Sequence, residues 1–174
     1  MKSNLYRIIL AAALLITTQN YISLLNFDAK VFQLLRKQNY SNSLVTEIMN
    51  GVPYYIPTES VLVRLYTENL DTCENLSIYS KKLLDMNHRS VQAYFILAAC
   101  MEKSGRLESA LREIKTALVY DPKNTSLLIN KAILELNLGD LDLSQKTLNH
   151  IFEIDPNSKN LEEVQKALNF KLNI

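Results

Sequence analysis

A 34-residue clock constrains this chain more than any other feature of its sequence. The stretch GRLESALREIKTALVYDPKN, residues 105–124, is answered by GDLDLSQKTLNHIFEIDPNS, residues 139–158, with a glycine opening each and an Asp-Pro pair closing each. One period earlier, DTCENLSIYSKKLLDMNH keeps the layout from Asp71, with Asn87-His88 where the others carry Asp-Pro. Two of the three glycines and two of the four prolines sit on this period, so the punctuation is concentrated where it can end helices. A fixed period of this length is the mark of a helix–turn–helix solenoid, in which each unit leaves an apolar face for its neighbour to cover.

Each unit reads as two amphipathic helices. In the clearest one the first helix runs from about Ser90, a plausible N-cap, to Lys103, and Gly105 supplies the backbone freedom of the turn. The second, from about Arg106 to Tyr120, places Leu107, Ala110, Leu111, Ile114, Ala117 and Leu118 at three- and four-residue steps. Pro122 stops it, and Asn124 or Thr125 can cap the next helix. Trp is absent and Gly is scarce, which suits helices joined by short turns. The fold class expected is all-α.

On these residues the chain resembles the tetratricopeptide repeats. That pattern is met by Tyr94, Leu97, Ala98, Met101, Ala110, Ile114, Ala117 and Pro122, with Met101 and Ile114 standing where aromatics are usual. The following unit keeps Leu128, Ala132, Gly139, Leu148 and Pro156 but has Lys131 at the leucine slot and Ser144 at the alanine slot. The unit before, from Pro57, puts Leu76, Leu83 and Asp71 at slots that are normally small or glycine. The resemblance covers residues 57–158 and implies a solenoid of about three repeats. Small residues such as Ala98 and Ala110 allow close helix approach, and a larger side chain there overpacks the contact by about 1–3 kcal/mol. Residues 159–174 are expected to form a capping helix with Leu161, Val164, Leu168 and Leu172 on one face. Residues 28–56, with Phe32, Leu35, Leu44, Val45 and Ile48, read as a helical linker or degenerate repeat.

What the resemblance implies about function is a binding surface along the first helices. Its residues are Phe95, Ala99, Ile129, Asn130 and Ile133. Asn130 alone matches the carboxylate clamp of chaperone-tail binders, so an apolar groove for an amphipathic helix or peptide segment of a protein partner is expected instead. The chain's own flanking helices are the competing occupant.

From Ile8 to Phe27 there are 20 residues without a charge, opened by IILAAALLI and preceded by Lys2 and Arg7. That is the length of a membrane span. Residues 1–27 are therefore expected to be an uncleaved anchor, with a signal peptide, for which no small-residue processing site follows, and a buried soluble helix as the alternatives. The resulting expectation is a single-pass protein of the bacterial inner membrane with its repeats exported. Its layout is loosely similar to the tail of bacterial O-antigen polymerase or ligase proteins. A detached tail or accessory subunit of such a glycan enzyme is the alternative to a membrane-anchored interaction module.

Little else points to chemistry. With 19 basic and 18 acidic residues there is no basic stripe for nucleic acid. His88 and His150 belong to no metal or catalytic spacing, and no nucleophile elbow, Walker loop or C-x-x-C occurs. No enzyme activity, cofactor or metal is expected. Cys73 falls on the clock with Leu107 and Leu141, and Cys100 with Leu134. Two small buried apolar residues are the preferred reading, and a disulfide is the alternative.

Overall fold

The computed structural model describes residues 14–19, 22, 25, 26, 29, 56–158 and 161–172, with the backbone alone at 56–58 and 172. Two compact units divide the chain at Val61 and Leu62. Seven helices have both ends among the described residues: α1 (Ile56–Thr67), α2 (Cys73–Met86), α3 (Val91–Lys103), α4 (Leu107–Tyr120), α5 (Thr125–Leu138), α6 (Leu141–Ile154) and α7 (Leu161–Leu172). No strand occurs among the described residues. The fold is an all-α, helical-hairpin solenoid, with α3 packed on α4, α5 on α6, and each second helix packed on the first helix of the next unit.

The expected membrane localisation is overturned, because no described helix is long and apolar enough to cross a membrane. Residues 14–19 are helical but pass from Leu14, Leu15 and Ile16 into Thr17, Thr18 and Gln19. The Thr17 and Thr18 hydroxyls donate to the carbonyls of Leu14 and Leu15, each at 2.9 Å. That polar turn cuts the apolar run well short of the roughly 20 residues a span needs. The rest of 8–27, apart from Ile22, Leu25 and Asn26, lies outside the described residues, as does the linker expected at 28–56 except for Ala29 and the backbone of Ile56.

Helix boundaries follow local chemistry. Ser90 and Asn124 cap α3 and α5, their side chains accepting from the backbone N–H of Ala93 at 3.2 Å and Leu127 at 3.1 Å. Gly105 and Gly139 take φ of 77° and 87°. There the N–H of Arg106 reaches back to the Met101 carbonyl and that of Asp140 to the Glu135 carbonyl, both at 2.9 Å, closing the turn on orphan carbonyls. A Cβ at either glycine would meet nothing within 4 Å. Gly139→Ala is therefore expected to cost only the left-handed backbone penalty, about 1–2 kcal/mol, read as a shift in denaturation midpoint.

The period slips in the first unit. Asp71 aligns with Gly105 on the 34-residue count, yet the left-handed residue is Asn69, at φ 51°. The Leu70 N–H bonds to the Leu65 carbonyl at 2.9 Å, the same closure as at Gly105. Asp71 instead accepts from the Thr72 N–H and the Asn75 amide, both at 2.7 Å, preparing the start of α2. The turn is two residues longer, so Val61, Leu62 and Leu65 stand 36 residues before Leu97, Ala98 and Met101. All three are fully buried.

Packing is tightest where small residues recur. Ala98, Ala110, Ala117 and Ala132 are all buried, and Ser144 donates its hydroxyl to the Ala132 carbonyl at 2.9 Å across the α5–α6 contact. Ser80 lies on the clock with Ile114 and Leu148 and is fully buried, but its hydroxyl has no hydrogen-bond partner among the described residues. Ser80→Ala removes that unsatisfied group and is expected to raise unfolding stability by about 1 kcal/mol in a chemical denaturation series.

Candidate functional site

The first helices present one face in common. Tyr66, one residue before the last of α1, meets Phe95 of α3 edge-on, with ring centroids 5.8 Å apart. The Lys103 ammonium lies 5.4 Å over the Tyr66 ring, the distance at which a cation is drawn to an aromatic face. Burial pushes the Tyr66 hydroxyl up from its ordinary pKa, and the nearby Glu102 carboxylate adds to the effect. Phe95 also packs against the cluster that contains Leu127 and Leu134 of α5. Further along, the Lys171 ammonium of α7 donates to the Leu136 carbonyl of α5 at 2.7 Å.

Of the residues expected in the groove, Phe95, Ala99, Asn130 and Ile133 are half-buried, and Ile129 is buried at 5% exposure. Ile129 belongs to the cluster of Leu128, Ala132, Leu148, Val164 and Leu168, so it forms part of the packing between α5, α6 and α7. The Asn130 amide donates to the Ser126 carbonyl at 2.7 Å, one turn back on its own helix. Tyr66 escaped the sequence reading because the first unit is out of phase with the clock, and Lys103 with it because its place on this face is set by the Tyr66 ring.

On another part of the array Tyr94, at the early aromatic slot, stacks on Tyr120 at 6.2 Å and 17°, while His88 meets Tyr120 edge-on at 6.2 Å. Burial is the main cause that raises the Tyr94 hydroxyl pKa, followed by Tyr120 and Glu113. Pro122, Gly105, Gly139 and Pro156 are exposed in the turns, and Leu97 is buried.

Two unusual slots acquire partners. Lys131, standing where Leu97 stands one unit earlier, donates to the Thr147 hydroxyl at 2.8 Å. Thr147 in turn donates to Glu135 at 2.8 Å, and Lys131 pairs with Glu135 at 3.4 Å. Glu135 is 1% exposed, so a buried ion pair bridged by a hydroxyl sits between α5 and α6. Lys131 and Ser144 were the visible departures from the repeat pattern. Nothing in the sequence tied them to Thr147 or Ala132.

The cysteines correct the preferred sequence reading. Cys73, the first residue of α2, and Cys100 of α3 form a disulfide with their Cα atoms 5.2 Å apart. Second helices pack antiparallel against the following first helix, which brings the start of α2 level with the end of α3. Among the described residues no group of three or more His, Cys, Asp or Glu could hold a metal ion.

A groove of about 830 Å³ lies between α6 and α7, lined by Leu148, Phe152, Pro156, Leu161, Glu162 and Lys166 among others. Its α7 wall is polar at Glu162, Gln165 and Lys166, where α5 carries Leu128, Lys131 and Ala132 at the corresponding places. The Glu162 carboxyl is held below its ordinary pKa by the hydrogen bond from Lys166, whose own pKa that bond raises.

Residues 103–168 match the sequence profile described as tetratricopeptide repeat. A search of curated proteins gives no match. Among solved structures the chain is similar to the Yersinia enterocolitica type III secretion chaperone SycD in complex with a peptide of the translocator YopD. That match has a TM-score of 0.54 at 18% identity and covers 79% of this chain and 95% of that one. It is also similar to a second structure of the Yersinia enterocolitica type III secretion translocator chaperone SycD, with a TM-score of 0.59 at 16% identity over 78% and 90% of the two chains. A point mutant of MamA matches with a TM-score of 0.65 at 10% identity over 89% and 90%. Fold, period and profile agree that this chain carries a helical solenoid of the tetratricopeptide-repeat type.

Proposed function

We propose that the chain is a protein-interaction module that takes a peptide or amphipathic helix of a protein partner on the face formed by Tyr66, Phe95, Ala99 and Ile133. The observation that carries this reading is the half-buried aromatic and aliphatic strip across successive first helices, edged by Glu102, Lys103 and Asn130. Such a strip supplies apolar area for a partner's i, i+3, i+4 side chains while the rim fixes register. The SycD fold, described with a translocator peptide, supports a peptide as the class of ligand. In this reading α7 caps the array, since it buries Val164 and Leu168 and exposes Glu162, Glu163 and Lys166.

The test is in-cell photo-crosslinking from Ala99 and Ile133, the half-buried positions, with exposed Arg112 as control and mass spectrometry of the adducts. Adducts to one protein from both face positions and none from the control are expected. Ala99→Glu places a charge on the strip and should lower the yield from position 133 about tenfold or more, the scale of one lost hot-spot contact. Adducts confined to the chain itself would overturn the reading.

A further inference from the structure

We infer that the Cys73–Cys100 disulfide is a redox latch on the first inter-repeat seam, opened by a dithiol that attacks at Cys73. The inference comes from what occupies the same place in the other seams. One period on, Leu107 of α4 and Leu134 of α5 pack in one apolar cluster. Another period on, Leu141 of α6 and Leu168 of α7 share the next. Each pair joins the first turn of a second helix to the later half of the following first helix. The first seam alone has a pair of cysteines there, 27 residues apart, in place of two leucines. Two thiols supply less apolar contact than two leucines, so this seam depends on its covalent bond in a way the others cannot.

The geometry also assigns the point of attack. Cys100 is 2% exposed, whereas Cys73 is half-buried at the solvent edge of α2. A thiolate of the dithiol attacks the Cys73 sulfur and expels Cys100 as a thiolate, which takes up a proton. The second thiol, on losing its proton, closes the reductant into a cyclic disulfide and releases Cys73. Two electrons and two protons pass from the dithiol to the protein. The released seam is the one where α2 packs on α3, next to the Tyr66–Phe95 contact.

Hydrogen exchange resolved by segment, on the full chain with and without dithiothreitol, tests this directly. Reduction is expected to speed exchange in α2 about tenfold or more while α5 and α6 stay as they were. Cys73→Leu/Cys100→Leu, which installs the pair used in the other seams, should be indifferent to dithiothreitol. Equal exchange in α2 before and after complete reduction, verified by alkylation mass, would overturn the latch. Loss of protection in α2, α5 and α6 together would overturn it too, since the bond would then be a staple of the whole array. Neither outcome depends on a partner, so the latch and the binding face succeed or fail separately, and the dithiol titration of the unmodified chain stands even where the double variant does not fold.

Discussion

Lys131→Leu, which installs the residue found at the equivalent Leu97, is expected to lower unfolding stability by about 3 kcal/mol, the low end of the cost of breaking a buried ion pair. On pattern alone the substitution looks favourable, because it restores the repeat's leucine. The structure reverses that sign. Glu135 is 1% exposed and has two partners, Lys131 and Thr147. Removing the ammonium leaves a buried carboxylate with one hydroxyl and no counter-charge. Lys131 itself is 24% exposed, so water reaches one edge of the pair, and that places the cost at the low end. Lys131→Leu/Glu135→Met/Thr147→Val replaces the whole network by apolar groups, two of them the residues of the preceding unit. It should recover to within about 1 kcal/mol of the parent or exceed it, as replaced buried pairs often do. Urea denaturation of the parent, single and triple variants reads all three. A single variant as stable as the parent would show that the ion pair contributes nothing.

Leu134→Ala is expected to destabilise the chain by about 3 kcal/mol, within the 2–5 range for a leucine truncated in a packed interior. Leu134 is 2% exposed and sits in the cluster with Ala98, Ala110, Leu111, Ile114, Ala117 and Leu127, which joins α3, α4 and α5. Its seam has no covalent bond to hold it while the cavity forms. The loss should appear as a lower denaturation midpoint with α4 and α5 losing exchange protection together. A loss below about 1 kcal/mol would mean that the site collapses around the missing atoms.

Much of the architecture was legible in one dimension. Ser90, Asn124, Gly105, Gly139 and the Asp-Pro pairs mark hairpin ends because capping and left-handed backbone are properties of single residues and their nearest neighbours. The first unit was legible only in part. Asn69 does the work of a glycine, since asparagine also tolerates the left-handed region, and the two-residue slip it introduces hid the place of Tyr66. The first residues mislead for a related reason. A charge-free run of 20 reads as a span, but Thr17 and Thr18 interrupt its apolar part.

The binding face divides the same way. Phe95, Ala99 and Ile133 follow from their places on the clock, whereas Ile129 is buried in a cluster with Val164 and Leu168 of α7, a helix that begins more than 30 residues later. The disulfide, the Lys131–Thr147–Glu135 bridge and the Ser144 hydrogen bond also join residues on different helices. Period, helix ends and the all-α class were set along the chain, by backbone sterics and apolar spacing that act within a few residues. That the two cysteines meet, and which charge is buried, came from packing helices side by side, because that alone brings atoms 12 to 35 residues apart within bonding distance.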